Sequence, residues 1–410
     1  MSMEEGRAGG RGPVRSPRRA RKPLRRGLVS LHRWSALILG IVLVVQSTSG
    51  AILLYHAELF RAGHASFYRH TDGPPVIDTE RAVALVRAED PGFDIGWAGS
   101  DGGVIVVGNS DFTAVYAVDP GTGLLNGRVR LTDGVLGWLI NLHDCAFGCP
   151  RYSGALPIMN DQPPLIGITW AAVILGIMGL LLVLLAISGA IIWWPSIRRL
   201  RHGFRVRLRK GRFARDRDLH DVIGILSVPF LLMWGITGTA IEWPAVERAW
   251  LGATGGDTNL ERPQDVFTPR VTDRGAPVSI TDVGEIALRA APGRLAYLML
   301  PTEAAPYYRA AIAGAYSPYE HRAFYSGDVL VYINAADAAD LKVVDAGRDR
   351  PLANTFYAKV FEPAHFGWLV NGWWRLIWLA FGLTPLALAV TGLSSWLFRR
   401  ATKRGRRAAR

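Results

Sequence analysis

Cysteine is nearly missing from this sequence: Cys145 and Cys149 are the only two in 410 residues. They permit one disulfide at most, and their spacing is not the C-x-x-C-H of covalent haem attachment. A G-x-G-x-x-G turn between a strand and a helix is also missing, so no nucleotide or flavin domain is expected. No His, Asp and Ser set has a spacing that suggests a hydrolytic triad. Acidic residues are in deficit, 34 against 47 Lys and Arg, for a net charge of +13. Charge of either sign is scarce in four stretches of about bilayer length, roughly Trp34 to Tyr55, Leu165 to Trp194, Val222 to Ile241 and Trp373 to Phe398. Trp or Tyr stands near an end of each, as interfacial anchors do.

The basic residues set a topology. Ten Lys/Arg lie in residues 1–33, ten between Ser196 and Leu219, and seven after Phe398. The segments 56–164 and 244–364 hold more acids than bases. By the positive-inside rule both termini and the middle loop are expected in the cytoplasm. The expected organisation is a basic tail (1–30), a first span (31–56), an outer module (57–164), a second span (165–195), a basic loop (196–218), a third span (219–243), a second outer module (244–362), a fourth span (363–398) and a basic tail (399–410). The first span is expected to be retained, because its apolar run is long for a signal peptide. Anionic lipid accounts for the arginines, and no nucleic acid is expected.

LHRWSALILGIVLVVQSTSG, from Leu31, and LHDVIGILSVPFLLMWGITG, from Leu219, share a pattern. His32 precedes Gly50 by 18 residues, and His220 precedes Gly238 by 18. Each is followed by an outer segment and then another histidine, His143 in NLHDCAFG or His365 in PAHFGWLV. A second span follows, with Ser188-Gly189 or Thr391-Gly392 near its end. The fold class expected is therefore an α-helical membrane bundle of four transmembrane helices, a tandem two-helix parallel repeat carrying two extracytoplasmic α+β modules. Gly40, Gly50, Gly176, Gly179, Gly189, Gly224, Gly238 and Gly392 read as close helix contacts. Thr79 to Glu89 has helical periodicity, GVIVVGN and TAVYAVDP read as strands, and Asp119-Pro120-Gly121-Thr122-Gly123 as a turn. TDVGEIALRAA and DVLVYINAADAADLKVVD repeat that order more loosely.

Spans one and three enter from the cytoplasm, so His32 and His220 fall on the inner side. His143 and His365 fall on the outer side. If the repeat axis runs down the bundle, each pair faces across it, as two axial ligands of one haem iron must. A lone histidine at a span end is more often an interfacial residue, and only the repeated placement points to iron. Asp144 and Asp221 are candidates to orient the imidazoles. Arg33, Arg151 and Arg375 are candidate propionate partners, though surface anchoring explains them equally. His56 is a weaker rival for the outer site, and His64, His70, His202 and His321 read as surface residues. Cys145 and Cys149 read as a disulfide or as free thiols, with a metal site beside His143 as the alternative.

With LHRW…TSG, LHDV…ITG, AHFG…TGLSSW and VYAVDPGTGLLNG, the chain resembles the PepSY-associated transmembrane family of bacterial inner-membrane proteins. The last stretch is similar to the closing strand and turn of a PepSY module, whereas INAADAAD in the second outer segment lacks the DPxTG pattern. The resemblance implies two PepSY-like modules, two b-type haems, and His32, His220, His143 and His365 as axial ligands. It also implies ferric-siderophore reductase activity. On that reading a ferric siderophore or other ferric chelate is the substrate, and a separate cytoplasmic reductase or membrane quinol is the donor. The alternative is a non-enzymatic, membrane-anchored regulatory or binding protein, which requires no cofactor. A transporter built on parallel repeats ranks last, because the spans lack buried carboxylates apart from Glu242 near an end.

Overall fold

The computed structural model describes residues 21–164, 167–194, 200–260, 267–270, 278–313, 329–345, 348, 350–370 and 372–408. Residues 1–20 of the basic tail, 195–199 of the basic loop, Leu165 and His321 lie outside them. Four helices are long and apolar enough to cross a membrane: Leu24–Leu53, Trp170–Trp193, Arg212–Glu242 and Trp374–Thr402. The chain is a multi-pass membrane protein with four candidate spans. The fourth is built from two pieces, Trp374–Gly382 and Thr384–Ala408. The break falls just before Pro385, whose ring cannot accept a continuous helix ladder through that turn. Pro229, by contrast, sits inside the unbroken helix Arg212–Glu242.

The second and third spans approach most closely where side chains vanish. A Cβ on Gly179 would lie 2.2 Å from the Thr239 hydroxyl and 2.8 Å from the Gly235 carbonyl. Small residues let two backbones meet in this way inside lipid. Trp243 closes the seam, its indole over Gly176 and its Nε1 donating to the Ala172 carbonyl at 3.0 Å. Leu43, Met178, Leu181, Leu182, Ala186 and Leu231 fill the bundle below.

A buried arginine paired with a half-exposed carboxylate ties the fourth span to the helix that follows the first, His56–Gly63. Arg375 is 5% exposed, donates to Glu58 and the Leu54 carbonyl, and lies with its guanidinium 4.2 Å from the centre of the Tyr55 ring. Glu58→Gln is expected to destabilise the solubilised protein by up to about 1 kcal/mol, read as a small fall in Tm, because the half-exposed carboxylate is screened by solvent.

The two outer segments form one sheet. Its order is β4-β3-β2-β1-β5-β6-β7-β8, antiparallel throughout. The first segment supplies β1 (Ile95–Asp101), β2 (Val104–Asn109), β3 (Ala114–Val118) and β4 (Leu125–Arg130). The second supplies β5 (Arg294–Met299), β6 (Tyr307–Ala313), β7 (Val329–Asn334) and β8 (Asp337–Asp345). The seam pairs Trp97 with Met299, Ala98 with Leu298 and Gly99 with Tyr297. Helices Thr79–Glu89 and Ile280–Ala290 cover one face, burying Ala82, Val83 and Val86 over the first four strands and Val283 and Ala287 over the rest. Phe67, Trp97, Val106, Val115 and Tyr297 make a second core on the other face. The two modules read from the sequence are thus joined edge to edge, and that pairing removes two open strand edges.

The turn after β3 is held by Asp119, which accepts from the Thr71 amide and hydroxyl, the Gly121 amide and the Thr122 hydroxyl. Aspartate is suited to this position because its short carboxylate reaches the amide two residues on.

Candidate functional site

The four predicted histidines occupy corresponding places in the bundle. His32 lies in the helix Arg21–Leu53 and His220 in the helix Arg212–Glu242, near the basic ends of the spans. Their ring centroids are 6.4 Å apart and the rings are perpendicular. A metal–imidazole bond is about 2 Å, so one ion gripped end-on by two imidazoles separates their centroids by about 6 Å. His143 lies in the last turn of the helix Gly134–Cys145, and His365 ends the short helix Glu362–His365, both on the side that carries the sheet. Burial, and then the neighbouring His143, push the His365 imidazole down to about 3, so it is neutral at ordinary pH.

An oxygen atom faces Nδ1 at all four positions. His143 Nδ1 is 2.9 Å from the Gln46 carbonyl and 3.1 Å from the Ser49 hydroxyl. His220 Nδ1 is 3.1 Å from the Leu388 carbonyl and 3.2 Å from the Thr391 hydroxyl. A carbonyl only accepts, so Nδ1 carries the proton in both. His32 Nδ1 meets the Ser188 hydroxyl at 2.8 Å, and His365 Nδ1 meets the Thr237 hydroxyl at 2.7 Å. Those hydroxyls donate elsewhere, Ser188 to the Leu185 carbonyl at 3.3 Å and Thr237 to the Met233 carbonyl at 2.6 Å. The short Thr237 bond leaves that oxygen to accept from His365 Nδ1–H. With Nδ1 turned to these oxygens, Nε2 is the ring atom through which each imidazole could bind a metal.

Each of the four spans has a glycine that lies under an imidazole, with a small hydroxyl residue directly before it or, at Thr237, Ser49, Ser188 and Thr391, bonded to that ring. A Cβ would stand 2.4 Å from His143 Cε1 at Gly50, 3.1 Å from His365 Cε1 at Gly238, 3.2 Å from His220 Cε1 at Gly392 and 3.3 Å from His32 Cε1 at Gly189. The expectation that these four glycines serve helix contact is corrected: they make room for rings. The signal was visible as a small hydroxyl residue and glycine at the end of all four spans. A second donor steadies the two histidines on the side of the sheet. Gln46 Nε2 gives a bond to the His143 carbonyl at 2.6 Å, and Trp234 Nε1 gives one to the His365 carbonyl at 3.1 Å. Gln46 stands 14 residues after His32 and Trp234 stands 14 after His220, and sequence reasoning missed both.

Other expected roles move. Asp221 lies 3.7 Å from Arg217, and hydroxyls and carbonyls orient His220 instead. Arg375 pairs with Glu58, and Arg151 Nη1 donates to the Asp111 carbonyl at 2.6 Å. The Arg33 guanidinium lies 5.4 Å from the centre of the Trp34 ring. Cys145 and Cys149 form a disulfide, which removes them as metal ligands. Among the described residues no group of three or more His, Cys, Asp or Glu is placed to hold a metal ion. His56 begins the helix His56–Gly63, with its ring 6.1 Å from Phe60.

Between Cys145 and Cys149 the backbone turns through two left-handed residues, Ala146 at φ 42° and Phe147 at φ 66°. Neither is glycine, and each costs on the order of 1 kcal/mol. The matching turn after His365 uses Gly367 at φ 67°, where no such cost arises.

A multi-pass bundle with two sets of histidines, one toward each end of its spans, defines the class. The chain belongs to the family described as the PepSY-associated TM region, which matches residues 29–399. No curated protein matches it.

Proposed function

We propose that this protein is a transmembrane electron carrier that holds two b-type haems and reduces a ferric chelate, such as a ferric siderophore, for iron acquisition. His32 and His220 hold one haem on the cytoplasmic side, and His143 and His365 hold the other on the periplasmic side. The reading is carried by one observation: all four imidazoles set Nδ1 against an oxygen of a neighbouring span, the Gln46 and Leu388 carbonyls and the Ser188 and Thr237 hydroxyls, which leaves Nε2 as the ring atom for a metal. When bound, haem supplies one-electron redox chemistry that no side chain here can supply.

The chain's own residues hold and tune. Ser49, Ser188, Thr237 and Thr391 fix ring orientation, and their bonds to Nδ1–H raise the basicity of Nε2. Positive-inside charge puts the basic loop and tails in the cytoplasm and the sheet in the periplasm. The two halves are read as a tandem repeat, each with a PepSY-like module, which accounts for the corresponding histidines. Each ferric ion takes one electron, supplied from a separate cytoplasmic reductase or from membrane quinol. The ferrous product leaves because hard oxygen donors hold the lower charge less strongly.

Protein purified from cells with ample haem is expected to carry two haems per chain, with Soret and α bands of low-spin iron. Absence of haem under those conditions overturns the proposal and leaves a membrane-anchored binding or regulatory role. That role also predicts that His32→Ala with His220→Ala together are tolerated.

A further inference from the structure

Two outer histidines are set in unlike ways. His365 comes after a run of helix that includes a π turn, Tyr357–Phe361, and its surroundings receive two indole donors: Trp234 to the His365 carbonyl and Trp378 to the Ala364 carbonyl at 2.9 Å. Its exit turn relaxes through Gly367. His143 stands in the last turn of Gly134–Cys145, and the chain leaves that helix through the left-handed pair Ala146 and Phe147. That turn is tied at both ends. Cys145 and Cys149 are bonded, with Cα atoms 5.6 Å apart. Inside the loop, the Phe147 amide donates to the Asn141 carbonyl at 2.8 Å, and the Cys149 amide donates to Asn141 Oδ1 at 3.1 Å. Asn141 is fully buried, and its Nδ2 reaches the Tyr152 and Ser153 carbonyls. The loop presses on the second span, where a Cβ on Gly148 would be 2.8 Å from the Ala171 Cβ.

The hydrogen bonds alone give an unfavourable turn little to resist fraying, since a helix's last turn is where it opens first. A covalent closure across this short loop removes that freedom. We propose that the Cys145–Cys149 disulfide is a positioning element for His143, holding the end of its helix so that the ring stays over Gly50. The bond acts on the outer pair alone, because His32 and His220 share no segment with it. This inference rests on the haem reading for its consequence, not for its geometry. Opening the bond by a small dithiol gives two thiols and an oxidised dithiol, a two-electron, two-proton exchange.

The test compares wild type with Cys145→Ser/Cys149→Ser in the full chain. The outer haem is expected to bind about ten-fold more weakly or worse in the variant, the usual scale for losing a residue that orients a ligand. Its spectrum and midpoint potential change while those of the inner haem do not. Adding Ala146→Gly, which removes the left-handed strain, is expected to restore part of the loss. Two haems with both midpoints unchanged in the Ser variant overturn the proposal. Should that variant not fold, dithiol treatment of folded wild type, with alkylation to count freed thiols, reads the same change. A cofactor-free readout separates this failure from that of the haem proposal: carbethoxylation of His143 is expected to be several-fold faster once the disulfide is absent, with His220 as the internal reference. Equal rates at His143 with and without the disulfide also overturn it.

Discussion

Gly50→Ala is expected to cost the outer site its haem, while Gly189→Ala leaves the inner site occupied. The two substitutions add the same methyl group to equivalent places, so only local space distinguishes them. At Gly50 the new carbon would lie 2.4 Å from Cε1, 2.8 Å from Nε2 and 3.1 Å from Nδ1 of His143. Contact with three ring atoms at once leaves no small tilt that relieves the clash, and interiors are packed too densely to absorb it. His143 must leave its place and lose its bonds to the Gln46 carbonyl and Ser49. At Gly189 the nearest atom is His32 Cε1 at 3.3 Å, a contact relieved by a shift of a few tenths of an ångström. Haem stoichiometry and the number of midpoint potentials read both results. Two unperturbed haems in Gly50→Ala would show that His143 is not an axial ligand.

His220→Ala is the second large effect, and it falls on the inner pair. Removing the ring takes away one of two imidazoles whose centroids stand 6.4 Å apart, so the inner haem is expected to be lost or to become high-spin. The outer haem and its midpoint stay in place, because its ligands lie on other turns. Electrons from the cytoplasmic side then no longer reach a ferric chelate outside, and reduction in sealed vesicles is expected to fall at least about a hundred-fold. Free imidazole diffusing into the vacated ring site is expected to recover the low-spin spectrum, which a general folding defect would not allow. A variant that keeps two low-spin haems without added imidazole refutes the assignment.

These expectations draw on two kinds of information in the chain. Hydropathy and charge are properties of composition along the sequence, and a helix must satisfy its own backbone in lipid, so four spans were readable from four uncharged stretches. The same holds for local periodicity: Thr79–Glu89 is a helix, and the stretches around Val104–Asn109 and Ala114–Val118 are strands. The four histidines were legible because they recur at matching places. The glycines beside small hydroxyl residues were legible as a pattern and were assigned to helix contact, since spacing does not say what lies opposite a glycine.

Span number, the positions of the four histidines and the strands β2, β3, β7 and β8 were readable in the sequence alone, all set by local chemistry, whereas β1, β4, β5 and β6 were not read there. Tertiary structure alone decided that β1 pairs with β5 into one sheet, that Ser49, Ser188, Thr237 and Thr391 meet Nδ1 of a histidine on another helix, and that Arg375 is held by Glu58. Each of those contacts joins residues from 94 to 317 positions apart or two separate strands. Their partners are chosen by how helices cross and which strand edges are left open, and neither quantity is written in any local stretch of the chain.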